Sequence, residues 1–577
     1  NNPSGSTIDF AYSQGRLDQI VTPEWTTSYS YLTGNRVSTI TRGTESLTLG
    51  YDSSLPTSIT QSGVLNQALS FTYDSDIRLA SFTYAGGTAS YTYDDDSLMT
   101  AAGAFTITRG AQTGFIESVT DGTATLTPTY NGYGESSELV MDVGLTSNSW
   151  SVAHDDAGQI TSKTEVVDGS TTAYTYTYDS LGRLATVLKN GTLDEEYTYD
   201  AQGRRTSEYN VSRGIVPART YTYDDEDHLL TAGNVSYTHN ANGFLTEKVD
   251  GSGTSSYTYS TTGELRTVVL PDSTQIEYLH DAAGRRVAKK VNGTITEKYL
   301  WAGRTNLLAV YDGSNNLKIR LEGPEMVKDG TTYYLVTDQV GSIRAVVDTL
   351  GMTVKEITYD SFGNIIADTN PTFTIPLGFA GGLHDRDTNL VRFGYRDYDP
   401  ETGRWTAKDP IGFAGGDTDL YGYCISNPVN LTDELGLLVS GMFIKHLGKL
   451  MITDFDTGTT MIISAFSGTR RYPSIPVGTY EILDHPNPDY LRLEPMDWWP
   501  YANDRWDSGE GKGRSQFRLH HFGGGGNKGC ISARNDEEWT RLRDLIRSTI
   551  TVRKIVRRQN NWIPEYITDF GYITVVD

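Results

Sequence analysis

One stretch near the C-terminus gathers the groups of a nucleophilic site: Phe517-Arg-Leu-His-His-Phe-Gly-Gly-Gly-Gly-Asn-Lys-Gly-Cys-Ile531. A thiol becomes a nucleophile when a base or cation beside it lowers its pKa and substrate can approach. His520 or His521 can serve as that base, and Gly523–Gly526 leave room for substrate. Lys528 adds a positive field, and backbone N–H groups near Gly529 and Cys530 can hold an oxyanion. The competing reading of Cys530 is a buried thiol behind a glycine turn. Two histidines and one cysteine poorly match structural zinc spacing, so no metal is expected. The other cysteine, Cys424, lies in the strand-like Tyr421-Gly-Tyr-Cys-Ile425 with nothing basic adjoining it, and reads as structural.

The elements around Cys530 are short. Leu450–Phe455 and Thr459–Phe466 read as strands, and Tyr472–Tyr480 as a loop into another. After Cys530, Asn535 with Glu538 makes a helix N-cap signature, and Trp539, Leu542, Leu545 and Ile546 fall on one face of a packing helix. Asp497, Asp504, Asp507 and Glu510 read as a solvated loop.

Composition separates this region from what precedes it. Residues 438–577 hold 18 Lys+Arg and 17 Asp+Glu, a net of +1; residues 1–437 hold the remaining 30 and 55, a net of −25. Such asymmetry marks two modules with different tasks. The overall charge of −24 disfavours nucleic acid as a partner of the whole chain. Two cysteines exclude a disulfide framework. No apolar run reaches the ~18 residues of a membrane helix. The start, NNPSGSTIDF, carries no signal-peptide pattern and reads as the beginning of a fragment or processed chain.

Residues 1–437 are dominated by a repeat. Tyr178-Asp179 is followed by Gly182 and Leu184, Tyr199-Asp200 by Gly203, His154-Asp155 by Gly158, His280-Asp281 by Gly284 and Tyr359-Asp360 by Gly363. The alternation in Tyr174-Thr-Tyr-Thr-Tyr178 puts aromatics on one face of a strand. The Asp-x-x-Gly step predicts a turn in which Asp bonds its own backbone and Gly takes positive φ. One hairpin per unit cannot bury its face alone, but a stack of hairpins can, as a long sheet that coils. Units before residue 150 are degenerate, for instance Tyr130-Asn131.

This pattern resembles the Rhs/YD-repeat family over most of residues 40–437. The resemblance implies a spiral β-cocoon enclosing a C-terminal toxin. The run from Pro376 to Leu437, ending Asp433-Glu434-Leu435-Gly436-Leu437, resembles the core motif that ends such shells. It implies self-cleavage by Asp409 and Asp433 as an intramolecular aspartic protease, with Arg396 nearby and the cut between Leu437 and Leu438. Glu434 stands where proline is usual, and slower cleavage is expected. On their own, Asp409 and Asp433 read as turn residues.

The Cys530 stretch, with Ile475-Pro-Val-Gly-Thr-Tyr480 upstream, is similar to L,D-transpeptidases over roughly residues 465–547. This resemblance makes Cys530 the nucleophile and His520 the base. Asn527 replaces a usual serine, and Ser532 stands where many members have arginine, with Arg534 two residues on; these three are the expected substrate contacts. The expected fold is therefore mainly β. Residues 1–375 form a YD-repeat shell of stacked hairpins, and residues 376–437 a core-terminating segment with the protease element. Residues 438–577 form a small, mostly β domain with one or two helices. The expected function is a secreted antibacterial effector whose freed toxin modifies peptidoglycan stem peptides in the target-cell periplasm, without a cofactor. A cognate immunity protein and secretion-apparatus spike or adaptor proteins are the implied partners. The alternatives are a different Cys-His hydrolase, a wall-associated repeat adhesin, and a shell serving chiefly as a cage and chaperone.

Overall fold

A computed structural model describes residues 5–132, 134–155, 158–410 and 419–437, together with the backbone of nine strands between Gly441 and Val576. The repeating turn decides the architecture. At Asp179 the carboxylate Oδ1 accepts the N–H groups of Leu181 (2.9 Å) and Arg183 (3.0 Å), and Gly182 closes the turn onto the Asp179 carbonyl at φ +81°. Arg183 then donates through Nε to Asp179 Oδ2 at 2.7 Å. Its guanidinium lies 4.7 Å from the ring centroid of Tyr199 in the next unit, and the Tyr199 hydroxyl donates to the Leu184 carbonyl. The same set recurs at Asp200, Arg204 and Tyr223, and at Asp74, Arg78 and Tyr93.

The degenerate units keep the turn with substitutes. Asn131 accepts the Glu135 N–H through Oδ1, as the aspartates do for their partners. Ile77 occupies the left-handed position at φ +66° where later units place Gly, a conformation that is costly for a β-branched residue. Trp301 replaces the tyrosine and donates Nε1–H to the Arg286 carbonyl at 2.7 Å.

Among the described residues, the strands from Asp9–Ser13 to Ile365–Asp368 form one 36-stranded sheet in which sequential strands pair antiparallel. The register shifts repeatedly at the same step of the unit, between Thr177 and Tyr178, Thr198 and Tyr199, Thr222 and Tyr223, and Thr358 and Tyr359. A bulge of this kind increases local twist, and its repetition coils the sheet. Exposed threonines bond across the outer face, as Thr177 to Thr186 and Thr198 to Thr206, while Tyr176 and Tyr197 are buried on the other face.

The coil brings distant units together, and it narrows. Tyr84 bonds the Leu321 carbonyl across a separation of 237 residues, Tyr334 bonds Asp121 across 213, and Thr353 bonds Asp168 across 185. Ser361 donates to Glu195 across 166 residues, and Asn210 to Asp360 across 150. The length of chain between laterally bonded residues therefore shortens along this seam.

Residues 376–437 lie against the narrowing windings. A four-stranded antiparallel sheet, Leu383–His384, Val391–Phe393, Arg396–Asp399 and Arg404–Trp405, carries a buried aromatic cluster of Phe379, Phe393, Tyr398, Trp405 and Tyr423. Charged pairs fix it to the large sheet, Lys289 to Asp385 at 2.6 Å, Arg286 to Asp397 at 2.7 Å and Lys248 to Glu401, and Arg219 donates to the Glu401 carbonyl. Cys424 is buried, but it begins a 3-10 turn, Cys424–Ser426, in which all three residues have positive φ. The strand-like reading of 421–425 is thus corrected: the chain reverses here to bring Tyr423 into the aromatic cluster.

The C-terminal strands form a separate nine-stranded sheet of mixed direction. Lys449–Asp454, Thr459–Ser467 and Gly478–Asp484 match the strands expected from the sequence. The expected helix after Cys530 and the acidic loop containing Asp497, Asp504, Asp507 and Glu510 lie outside the described residues.

One inter-winding contact carries a pH dependence. Glu195 accepts from Tyr197 Oη at 2.7 Å and from the Ser361 amide, and burial, then the neighbouring Asp360, push its pKa up to about 8. Asp360 is raised as well, again mainly by burial. The folded state therefore holds a proton that the unfolded chain releases above the ordinary value of 4.5. This stabilisation is full below that value and is lost as pH rises through about 8. Glu195→Gln is expected to flatten the fall in urea midpoint between pH 5 and pH 8.5, followed by hydrogen exchange of residues 192–199 and 357–362.

Candidate functional site at the end of the repeats

The hairpin that joins Val391–Phe393 to Arg396–Asp399 sets one side of the site. Its register pairs Phe393 with Arg396, leaving Gly394 and Tyr395 at the tip. The chain end crosses this tip closely. Gly394, at φ +38°, has no room for a side chain: a Cβ there would lie 2.5 Å from the Leu435 oxygen. The Tyr395 N–H donates to the Leu435 carbonyl at 2.9 Å. Gly436, at φ +69°, turns the chain within 3.3 Å of Arg396 Cβ and N, measured from its own ideal Cβ position.

Arg396 projects between the two aspartates. Its Nη2 lies 2.8 Å from Asp409 Oδ2 and 3.4 Å from Asp433 Oδ2, so these oxygens are no farther apart than the sum of those distances. Nη1 donates to the Leu420 carbonyl at 3.3 Å, and that carbonyl also accepts the Asp409 N–H. The guanidinium stacks 4.2 Å from the Trp405 ring centroid. Asp433 Oδ1 accepts the Leu437 N–H at 2.8 Å, and its own carbonyl accepts the Gly436 N–H. The tail from 433 to 437 is therefore wrapped around the Asp433 carboxylate. Arg396, Asp409, Asp433 and Leu437 are all buried, while Glu434 is exposed.

The structure thus brings together Arg396, Asp409 and the 433–437 tail that carries Asp433 and Leu437. Leu438 lies outside the described residues. Two carboxyls against one cation, shielded from water, can share a proton and act as an acid and a base. The sequence reading missed Trp405, whose face supports the guanidinium, and the Leu420 carbonyl, which ties Arg396 to Asp409. The Gly-Arg-Trp triplet at 403–405, just before Asp409, is the only local signal of the former.

In the C-terminal sheet, Phe517–His521 and Ile531–Ala533 run parallel, with His520 opposite Ser532 and His521 opposite Ala533. Cys530, Gly529, Asn527 and Arg534 lie outside the described residues. Among the described residues no group of three or more His, Cys, Asp or Glu could hold a metal, and no helix is long and apolar enough to cross a membrane.

A coiled sheet of Tyr-Asp hairpins closed by an inner segment defines a YD-repeat shell protein. A family model described as Teneurin YD-shell matches residues 2–426, and the chain belongs to that family. It is similar to human Teneurin-4, at 29% identity over 371 residues, covering 61% of this chain and 13% of the relative. It is also similar to chicken Teneurin-1, at 32% over 252 residues, covering 42% and 9%. The chain thus spans only a small part of the curated relatives it matches. Among solved structures, the crystal structure of TcdB2-TccC3-Cdc42 matches with a TM-score of 0.55 at 16% identity, covering 75% of this chain and 26% of that one. That of TcdB2-TccC3 matches with 0.51 at 16% identity, covering 75% and 27%. At this identity the likeness shows the shell fold.

The close crossing at the hairpin tip is testable without any activity. Gly394→Ala is expected to push residues 435–437 off the tip. The Tyr395 and Leu437 amides should then exchange at least tenfold faster than in the wild type, while exchange at residues 179–184 stays unchanged.

Proposed function

We propose that this shell encloses residues 438–577 and cuts its own chain between Leu437 and Leu438, freeing a Cys530-dependent antibacterial toxin. The observation that carries the first half is the Arg396 guanidinium between buried Asp409 and Asp433, one of which holds the Leu437 N–H. In the cut, one carboxylate takes a proton from water and the water oxygen bonds to the Leu437 carbonyl carbon. The other carboxyl, protonated, gives its proton to the Leu438 nitrogen as the C–N bond breaks. The products are a carboxyl at Leu437 and an amine at Leu438. Arg396 keeps one carboxyl ionised, and Trp405 and Leu420 hold Arg396 in place.

For the freed domain, the reading is an L,D-carboxypeptidase or transpeptidase acting on peptidoglycan stem peptides in a target-cell periplasm. Cys530 attacks the carbonyl of the diamino-acid residue of a tetrapeptide and expels the terminal D-Ala; water or an amine resolves the thioester. His520 takes the thiol proton, His521 is the alternative base, and Gly529 lies beside the oxyanion. Asn527, Ser532 and Arg534 contact substrate. The parallel register supports this reading, because it sets the strand bearing His520 beside the strand that Cys530 leads into. An immunity protein in the producing cell and spike or adaptor proteins for delivery complete the scheme.

The test is intact-mass analysis of wild type, Asp409→Asn and Cys530→Ala, each then incubated with tetrapeptide-rich peptidoglycan. Wild type is expected to split after Leu437, with the rate falling about 100-fold or more in Asp409→Asn, the scale of a lost general acid or base. D-Ala release is expected from wild type and absent with Cys530→Ala. An uncut wild-type chain would overturn the self-processing reading, and D-Ala release that survives Cys530→Ala would overturn the toxin assignment.

A further inference from the structure

The neighbours of Arg396 in the chain are held by the large sheet rather than by the local hairpin alone. On one side, Asp397 receives Arg286 Nη2 and Arg392 Nη1, each at 2.7 Å, with all three side chains buried. On the other side, the Tyr395 ring lies under Arg304, whose guanidinium carbon is 3.8 Å from the centroid. Arg304 Nη2 donates in turn to the Ala283 carbonyl at 2.7 Å.

These anchors sit at a seam between windings. A Cβ at Gly284 would be 2.8 Å from Glu264 Oε1, 3.7 Å from Arg304 Nη1 and 3.9 Å from Arg42 Nη1, so three side chains converge on one glycine. Arg42 comes from the first winding. It pairs with Glu264 at 2.6 Å, donates to the Asp281 carbonyl at 3.0 Å, and stacks 3.5 Å from the Trp25 centroid. Glu24 accepts from both the amide and the hydroxyl of Thr261. Residues 24–42 thus close on residues 261–286 beside the strand that carries Arg396.

We propose that winding closure gates the cut: Arg396 reaches its position between Asp409 and Asp433 only once the first winding has docked on the second through Arg42 and Glu264. The proposal rests on the self-processing reading above. It makes Arg42, Arg304, Tyr395 and Arg286 positioning residues, acting through the backbone of 395–397. Forming a salt bridge across 222 residues of chain carries the entropic cost of closing that loop, so on this proposal the protease is completed after the shell has closed around its contents.

The experiment uses the full chain and compares the cleavage rate and hydrogen exchange of wild type, Arg42→Ala, Arg42→Lys, Tyr395→Phe and Tyr395→Ala. Arg42→Ala is expected to slow the cut at least tenfold and to speed exchange at residues 395–397, with Arg42→Lys recovering most of both. Tyr395→Phe, which keeps the ring under Arg304, should cut within twofold of wild type, and Tyr395→Ala should be slow. Wild-type cleavage by Arg42→Ala would overturn the gate, as would equal rates for the two Tyr395 variants. Should Arg42→Ala fail to fold, the Tyr395 pair decides. An uncut wild-type chain sinks the self-processing reading instead; the gate is then read from exchange alone, and unchanged protection of 395–397 in Arg42→Ala overturns it.

Discussion

The shell depends on a carboxylate that accepts backbone N–H groups inside a turn. Asp179 satisfies two amides that the turn would otherwise leave unpaired, and such groups cost free energy when they lose water. The same carboxylate orients Arg183, and Arg183 orients Tyr199 of the following unit. A local turn preference is thereby converted into a fixed relation between neighbouring hairpins. Because the bulge falls at the same Thr-Tyr step, the twist accumulates with one sign and the sheet winds instead of spreading flat. The Asn131 unit shows the turn surviving a change of side chain, provided an oxygen still faces the amides.

Narrowing of the windings creates the second constraint. The separation between laterally bonded residues falls from 237 to 150, and charged side chains such as Glu208, Arg286 and Lys289 are buried in this part of the coil. The segment 376–437 meets that charge with opposite charge: Asp385 to Lys289, Asp397 to Arg286, and Glu401 to Lys248. Buried pairs of this kind add little net stability over apolar packing, yet removing one partner leaves an uncompensated charge. They therefore specify where the segment docks more than they hold it there. The aromatic cluster around Tyr398 and Tyr423, whose centroids are 4.4 Å apart, supplies the apolar contact.

What the sequence disclosed follows from this division of labour. The Tyr-Asp-x-x-Gly turn is local, so hairpins, their alternating faces and the change of character after Leu437 were legible from spacing alone. So were three strands beyond Leu437. The grouping of Asp409, Asp433 and Arg396 came from a long motif resemblance; as single residues the aspartates read as turn formers. Trp405 and the Leu420 carbonyl were not legible, because their role exists only once Arg404–Trp405 pairs beside Arg396–Asp399. Arg42, Arg286 and Arg304 were hidden for a stronger reason: each looks like an ordinary strand or turn arginine, and its meaning lies in a partner far along the chain, Glu264, Asp397 and Tyr395 respectively. The left-handed turn at Cys424 was misread as strand because Tyr421-Gly-Tyr alternates like the repeats, whereas burial of Tyr423 required the reversal.

The placement of Asp433 bears on how often such a site could act. Asp433 sits in the segment it would help to cut, four residues before the scissile bond, and holds that segment through the Leu437 N–H. On the self-processing reading, catalyst and substrate are thus one strand, and the N-terminal side of the cut stays tied to the shell through the Tyr395–Leu435 and Asp433–Leu437 bonds. The new Leu437 carboxylate would remain beside Arg396 and the two aspartates, adding negative charge to a buried place with one guanidinium. Like-charge repulsion there opposes rebinding of any second peptide. Intramolecular placement makes the attack geometry available without a binding step, and the same placement confines the site to a single turnover.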